Sequence, residues 1–326
     1  MLKVGLIGCG FMGAMHANCY KNIDGVTVVA VADLRPEKAN ALAALSGAEI
    51  YTTGKELIEK ADVDVIDICL PTYLHAEHAL LAMDKVKYLF VEKPLALTVA
   101  EGEAIAKAAL ESGCNVQVGQ VIRFWDEYVV LRNIIKCGEY GRVVNANFRR
   151  ISPRPDWGWN DWALDVKLSG GAGEDLHVHD IDYVLSIFGE PKNYYTVKNT
   201  IGEENSYVNT LMQYDNFAVS VEGTWDLPAS HPFEATFRVV FEKATIENAG
   251  GKFLCYDKNG VSEIKLEKVQ LEGGEQGGNI SDLGGYYNEL VYFVNRAQNG
   301  LKIEEATVTD AAASLKFVRR ELGFVD

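Results

Sequence analysis

Residues 2–13 read LKVGLIGCGFMG, an apolar run from Leu2 to Ile7 followed at once by Gly8, Gly10 and Gly13 and then by a helix-like segment. Few folds accommodate that order. A buried strand that turns sharply on glycines into a helix is the G-x-G-x-x-G arrangement of a dinucleotide-binding βαβ unit. The three glycines act differently. Gly8 permits the turn, Gly10 lets backbone approach a pyrophosphate, and Gly13 lets helix and strand pack closely. The helix start, with Phe11 and Met12, presents unpaired N–H groups to phosphate. A second apolar run, Val26 to Ala32, ends at Asp33. A carboxylate there accepts hydrogen bonds from an adenosine ribose and repels a 2′-phosphate, which favours NAD over NADP. Leu34 and Arg35 follow; Arg35 is either a cation able to reach a 2′-phosphate or a solvated charge opening the next helix.

The whole chain of 326 residues, 48% of them apolar, is long enough for a large core and for two domains. No apolar run reaches the length of a membrane span. The residues before the first strand lack the features of a secretory signal, and a cytoplasmic protein is expected. Cys9, Cys19, Cys69, Cys114, Cys137 and Cys255 are scattered without a C-x-x-C pair, as buried reduced thiols would be. A formal net charge of −15 disfavours nucleic acid and tilts the expected ligand towards a neutral, hydroxyl-rich small molecule.

Strands at 63–70, 88–91 and 115–118 alternate with helical patterns at 36–45, 73–83 and 99–110, which predicts a doubly wound parallel sheet with ligand at its carboxyl edge. This Rossmann domain is expected to span residues 1–121. Residues 122–326 read differently: a helix at 125–137, a strand at 143–151, an aromatic loop and another helix, then consecutive strand-like runs at 194–200, 207–214, 218–224, 236–241 and 252–257. Such a succession predicts an α+β domain on a large, open, mostly antiparallel sheet. A glycine-rich loop at 273–285 precedes helices at 286–299 and 306–322. Helices cover one sheet face economically, so the other face is a candidate oligomer interface or is covered by loops.

Two stretches carry chemistry. Glu92-Lys93-Pro94 follows a parallel strand, which puts Lys93 at the carboxyl edge of the sheet, either as a proton donor or clamp beside nicotinamide or as a solvated lysine in a turn. Pro94 is a candidate for a cis bond. In GGAGEDLHVHDID, residues 170–182, a helix would set Asp175, His179 and Asp182 on one face, with His179 as acid or base and a carboxylate to orient it. A strand would instead pair His177 with His179 as metal ligands; the helical continuation to Phe188 argues against it, and no metal is expected. RPDWGWNDW, residues 154–162, gathers Trp157, Trp159 and Trp162 with Asp156, Asn160 and Asp161. Aromatic faces beside carboxylates and amides suit a sugar or a subunit contact.

These residues together resemble the Gfo/Idh/MocA oxidoreductase family: GLIGCGFMGAMHA, VADLRPEKA, CLPTYLHAEHALLAM, VEKPLALT, VQVGQVIRF and GGAGEDLHVHDIDYVL span nearly the whole chain. The resemblance implies a Rossmann domain, a second domain with an open sheet that pairs subunits into dimers or tetramers, and oxidation or reduction of inositols, sugars or other cyclic polyols. It makes Lys93, Asp175 and His179 the catalytic trio. It adds Pro71, Thr72 and His75 at the nicotinamide and places Arg123 towards substrate; Glu92 and Lys93 are further cofactor candidates, and Trp157 and Trp162 of the aromatic stretch are further substrate candidates. Glu174 and His177 fall at positions that vary in the family and name no substrate. An NAD-dependent dehydrogenase is the expectation; an NAD-using glycosidase and a non-enzymatic NAD-binding regulator are the alternatives.

Overall fold

The computed structural model describes residues 1–155, 158–199, 206–266 and 283–324. Asp156, Trp157, Thr200 and most of the glycine-rich stretch 273–285 lie outside the described residues. Six strands form one parallel sheet: β1 (Leu2–Ile7), β2 (Val26–Ala32), β3 (Glu49–Tyr51), β4 (Val65–Ile68), β5 (Tyr88–Val91) and β6 (Asn115–Val118). Their order is β3-β2-β1-β4-β5-β6, so the chain reverses direction across the sheet between β1 and β4, where a ligand crevice opens in doubly wound folds. The strands are buried on both faces, which is why they read as nearly continuous apolar runs.

β3 and the helix Gly54–Lys60 have no counterpart in the sequence pattern. β3 is three residues long with two exposed, and the helix is fixed by a cap, Thr53 accepting a hydrogen bond from Glu56 N at 3.1 Å, rather than by an apolar stripe. The longer helix Val99–Ser112 carries a full capping box between Thr98 and Glu101.

The second sheet contains β7 (Val143–Pro153), β8 (Asn193–Asn199), β9 (Tyr207–Gln213), β10 (Ala218–Leu227), β11 (Glu234–Phe241), β12 (Ala244–Ala249), β13 (Lys252–Asp257) and β14 (Gly260–Glu263). Its order is β14-β13-β12-β11-β7-β10-β9-β8, with every pair antiparallel except β7 and β10. β12 and β14 lie beyond what the pattern predicts: β12 turns only Ala244 and Ile246 fully inward, and β14 is exposed throughout. On the inner face Phe148, Val221, Phe237 and Val239 pack under Tyr128 and Leu131 of the helix Asp126–Cys137, and under Val178, Ile181 and Val184 of the helix Val178–Phe188. The outer face leaves Tyr195, Val197 and Leu211 exposed.

The C-terminal helices serve both sheets. Leu290, Phe293 and Val294 of the helix Gly284–Gln298 join Val4, Leu6 and Phe90 in the first core. Val308, Ala311 and Leu315 of the helix Val308–Leu322 pack with Ile105 and Val116, while Phe317 and Val318 of the same helix enter the second core. Packing therefore fixes the two sheets relative to each other, and the crevice between them is a built cavity. Among the described residues no helix is long and apolar enough to cross a membrane.

Candidate active site

The glycine turn is dictated by space. Gly8 has φ +97°, and a Cβ on it would lie 2.4 Å from the Cys69 carbonyl oxygen. A Cβ on Gly13 would lie 1.9 Å from the Gly8 carbonyl oxygen, so helix Phe11–Lys21 can sit this close to β1 only without a side chain there. Gly13→Ala is expected to destabilise the protein by about 1–3 kcal/mol and to weaken dinucleotide binding, read by denaturant titration and cofactor titration. Unchanged values for both would remove the turn from the binding site.

Asp33 closes this end of the site. Its Oδ2 accepts from Cys9 N at 2.8 Å and from Arg35 Nη2 at 2.9 Å, and its Oδ1 accepts from Arg35 N and Nε, both at 2.9 Å. Burial opposes its ionisation, yet the Arg35 hydrogen bonds outweigh it and hold the carboxyl below the usual aspartate range. The Arg35 guanidinium also lies 5.4 Å from the Trp159 ring centroid, so the 158–165 loop of the second domain reaches the first. Arg35 is thus paired while still partly exposed; it neutralises Asp33.

A cavity of about 1100 Å³ runs from Gly8, Gly10, Phe11, Met12, Asp33, Leu34 and Arg35 past Pro71 to Glu92, Lys93, Trp162, Asp175 and His179. It is long enough to join a dinucleotide site to a reaction centre, and the backbone of Gly10 is bare on the cavity side, its nearest neighbour for a Cβ being Arg35 Nη2 at 3.6 Å. These features fit a bound dinucleotide.

At the far end, Lys93 Nζ donates to the Asp175 carbonyl at 2.7 Å and to Asp175 Oδ1 at 2.9 Å. An ammonium has three donors, so one remains for a ligand oxygen. The Lys93-Pro94 bond is cis. His179 is 8% exposed and lines the cavity, and its Nδ1 has no hydrogen-bond partner among the described residues. Burial, then the charges of Lys93 and Arg150, push its pKa well below the usual 6.5, so the imidazole is neutral near pH 7 and able to take a proton. Beneath the trio, Glu92 Oε2 accepts from Lys93 N at 3.0 Å, and Glu92 Oε1 lies 3.0 Å from His16 Nε2. His16 Nδ1 in turn lies 2.8 Å from Asp67 Oδ2, which also accepts from Tyr20 Oη at 2.9 Å. His16 and Asp67 escape sequence reasoning because both sit inside apolar patterns; a charged residue within a buried strand is the available signal.

Several expectations are corrected. Arg123 does not face the cavity: all its contacts are to protein, Nε to Asp182 Oδ2 at 2.6 Å, Nη2 to Asp182 Oδ1 at 2.8 Å and Nη1 to Asp310 Oδ2 at 2.9 Å. Asp182 therefore does not orient His179. The helix Val178–Phe188 turns Asp182 towards Arg123 and Ser314, and the π-turn at residues 173–177 lies between Asp175 and His179, where it departs from the expected register. Thr72 and His75 are buried off the cavity; the His75 ring nitrogens lie 2.8 Å from the Pro94 carbonyl and 2.7 Å from the Leu70 carbonyl, tying two loops together. Gly13 likewise shapes the site without lining it. His177 faces Glu321, with Nε2 to Oε1 at 3.2 Å, and Glu174 accepts from Arg319 Nη1 at 2.6 Å, so both are structural. Trp125, Arg150, Phe233 and Tyr286 also line the cavity, and no sequence motif points to them.

The model described as "Oxidoreductase family, NAD-binding Rossmann fold" matches residues 2–120, and the one described as "GFO/IDH/MocA C-terminal domain" matches residues 128–247. Inositol 2-dehydrogenase of Salmonella typhimurium (strain LT2) is 33% identical over 216 residues, covering 64% of this chain and 61% of that protein. Myo-inositol 2-dehydrogenase of Thermotoga maritima is 29% identical over 193 residues, covering 58% of this chain and 55% of the relative. The matched stretch thus spans less than two thirds of these relatives. The crystal structure of an oxidoreductase from Agrobacterium radiobacter in complex with NAD+, L-tartaric acid and magnesium superposes with a TM-score of 0.87 at 18% identity, over 99% of this chain and 96% of that one, and shows the shared fold. With residues 2–120 and 128–247 matched by two models of one family, and with the two-sheet architecture in place, the chain belongs to the Gfo/Idh/MocA oxidoreductase family.

Proposed function

We propose that the protein is an NAD-dependent dehydrogenase of a cyclic polyol or sugar. The observation that carries this reading is the convergence of Lys93, Asp175 and neutral His179 at one end of a cavity whose other end is the glycine turn and Asp33. A bound nicotinamide supplies the acceptor for a carbinol hydride. His179 takes the hydroxyl proton as the carbonyl forms. The third N–H of Lys93 holds the reacting oxygen, and Asp175 fixes that ammonium while its second oxygen remains for a neighbouring hydroxyl. Trp162 supplies an aromatic wall. The inositol dehydrogenase names of the relatives support the polyol class.

The test is NADH formation, followed by absorbance, from NAD and a panel of inositols, aldoses and other polyols. Turnover supports the reading; hydrolysis of a glycoside without NADH accumulation would replace it with the glycosidase. NAD is proposed over NADP because of Asp33. Arg35 weakens that preference by neutralising the carboxylate. Arg35→Ala is expected to raise the ratio of kcat/KM for NAD over NADP by about tenfold, since a bare carboxylate repels a 2′-phosphate more strongly; a fall in the ratio would mean that Arg35 supports the NAD preference by holding Asp33 in place. The exposed outer sheet face, with Tyr195, Val197 and Leu211, is proposed to be covered by a second copy, which light scattering would show as a dimer or tetramer.

A further inference from the structure

Trp159 has no part in the proton and hydride steps, yet it lines the cavity. Arg35 fixes its place. The guanidinium carbon lies 5.4 Å from the Trp159 ring centroid, and the same guanidinium donates through Nε and Nη2 to Asp33. A side chain of the second domain thus reaches across the crevice to the Asp33 end rather than to Lys93 and His179. Its loop is braced on both sides of the ring. Asp161 N donates to the Gly158 carbonyl at 3.3 Å, and Asn160 and Asp161 take the left-handed backbone, φ 51° at each, which Asn and Asp tolerate better than other side chains. Further on, Ser169 Oγ donates to the Ala163 carbonyl at 2.7 Å and accepts from Gly171 N at 2.9 Å, which ties the loop to the turn before Asp175.

The cavity is apolar where Trp159 enters it. Leu34, directly after Asp33, is 63% exposed, and Ala41 and Leu45 line the cavity from positions four apart on the helix Pro36–Ser46. Large apolar side chains left exposed around a cavity mark a binding surface. In a bound dinucleotide the pyrophosphate takes the glycine turn and the adenosine ribose lies at Asp33. Adenine is bonded to that ribose, so it is the flat, uncharged group brought among these side chains. We propose that Trp159 stacks against the adenine of the bound dinucleotide, so that the second domain completes the cofactor site. This rests on the dinucleotide-binding part of the reading above. The saturation of Asp33 supports it. Its two oxygens already accept four hydrogen bonds, from Cys9 N and from Arg35 N, Nε and Nη2, which is the full capacity of a carboxylate. A ribose hydroxyl gains little by exchanging with one of them, which leaves the base as the main source of adenosine affinity. A sugar oxidised at His179 lies at the opposite end and has no call on Trp159.

The test uses ADP-ribose, which carries adenine, ribose and pyrophosphate without nicotinamide, so its calorimetric Kd is independent of turnover. Trp159→Leu keeps an apolar side chain at a partly exposed position and removes the ring. It is expected to raise the Kd of ADP-ribose, and the KM for NAD with it, by about tenfold or more, while Trp159→Phe loses less. Because Trp159 also touches Arg35, the Trp159→Leu change is repeated in an Arg35→Ala background, where stacking predicts that the loss persists. A loss that vanishes in that background overturns the inference, since Trp159 then acts only through Arg35. An unchanged Kd in Trp159→Leu also overturns it, and a raised KM for the polyol beside that result moves Trp159 to the substrate. None of these outcomes touches the dehydrogenase reading. Weakened ADP-ribose binding in Trp159→Leu supports the stack even where no polyol yields NADH, which separates failure of the one from failure of the other. A native protein that does not bind ADP-ribose overturns both.

Discussion

His179→Asn is expected to lower kcat by about 10²–10⁴-fold while NAD still binds, because the variant keeps a polar side chain of similar size and loses the base. His179 sits at the reaction end of the cavity, remote from the glycine turn and Asp33, so its loss leaves the dinucleotide cradle intact. Its ionisation also makes the pH dependence of turnover specific. The imidazole is depressed below 6.5 by burial and by Lys93 and Arg150, so the base is available throughout the neutral range and is lost only on acidification below that value. The acid limb of kcat/KM should therefore lie below pH 6.5. Lys93→Met removes one of the two neighbouring charges, and the His179 pKa should then rise, a shift visible by NMR of isotopically labelled histidine. An acid limb above 6.5, or full activity in His179→Asn, would remove His179 from the chemistry.

Arg123→Ala is expected to cost about 3–5 kcal/mol of stability, measured by denaturant unfolding, because it strands Asp182 as a buried charge with Ser314 alone beside it. Asp182 is fully buried and Arg123 is 4% exposed, so water does not compensate the loss. The pair also ties the turn after β6 to the helix Val178–Phe188, and through Asp310 to the cap of the last helix. The resemblance to the family assigns Arg123 to substrate; the bidentate geometry assigns it to architecture. A normally stable Arg123→Ala protein with a raised KM would reverse that assignment.

The first sheet is legible in the sequence because its signals reinforce one another. Apolar runs, the glycine turn, the terminal Asp33 and the intervening helices all specify one doubly wound topology. Lys93, Asp175 and His179 are named as candidates from the sequence, and the structure sets Lys93 Nζ 2.9 Å from Asp175 Oδ1 with His179 on the same cavity. The partners of Asp182 are not legible, since Arg123 and Ser314 reach it from elements distant in sequence, and the π-turn at Gly173–His177, between Asp175 and His179, leaves no mark on a 3.6-residue period. Arg150 carries a quieter signal: in the strand NANFRRI alternation alone sends one of the two arginines inward. The His16–Glu92–Asp67 cluster is hidden for a related reason, each member lying in an apolar pattern whose polar exception makes sense only when the elements meet. The division at residue 121 follows the change in strand pattern, while packing returns Leu290, Phe293, Val308, Ala311 and Leu315 to the first sheet through contacts distant in sequence.

The most direct test of hydride transfer uses a cyclic polyol or sugar bearing deuterium on the carbinol carbon. Incubated with the protein and NAD, it should yield NADH carrying one deuterium at C4 of the nicotinamide, with a matching ketone and no exchange into water. NADH without deuterium, or a product that has lost its aglycone while NAD is regenerated, would contradict the dehydrogenase.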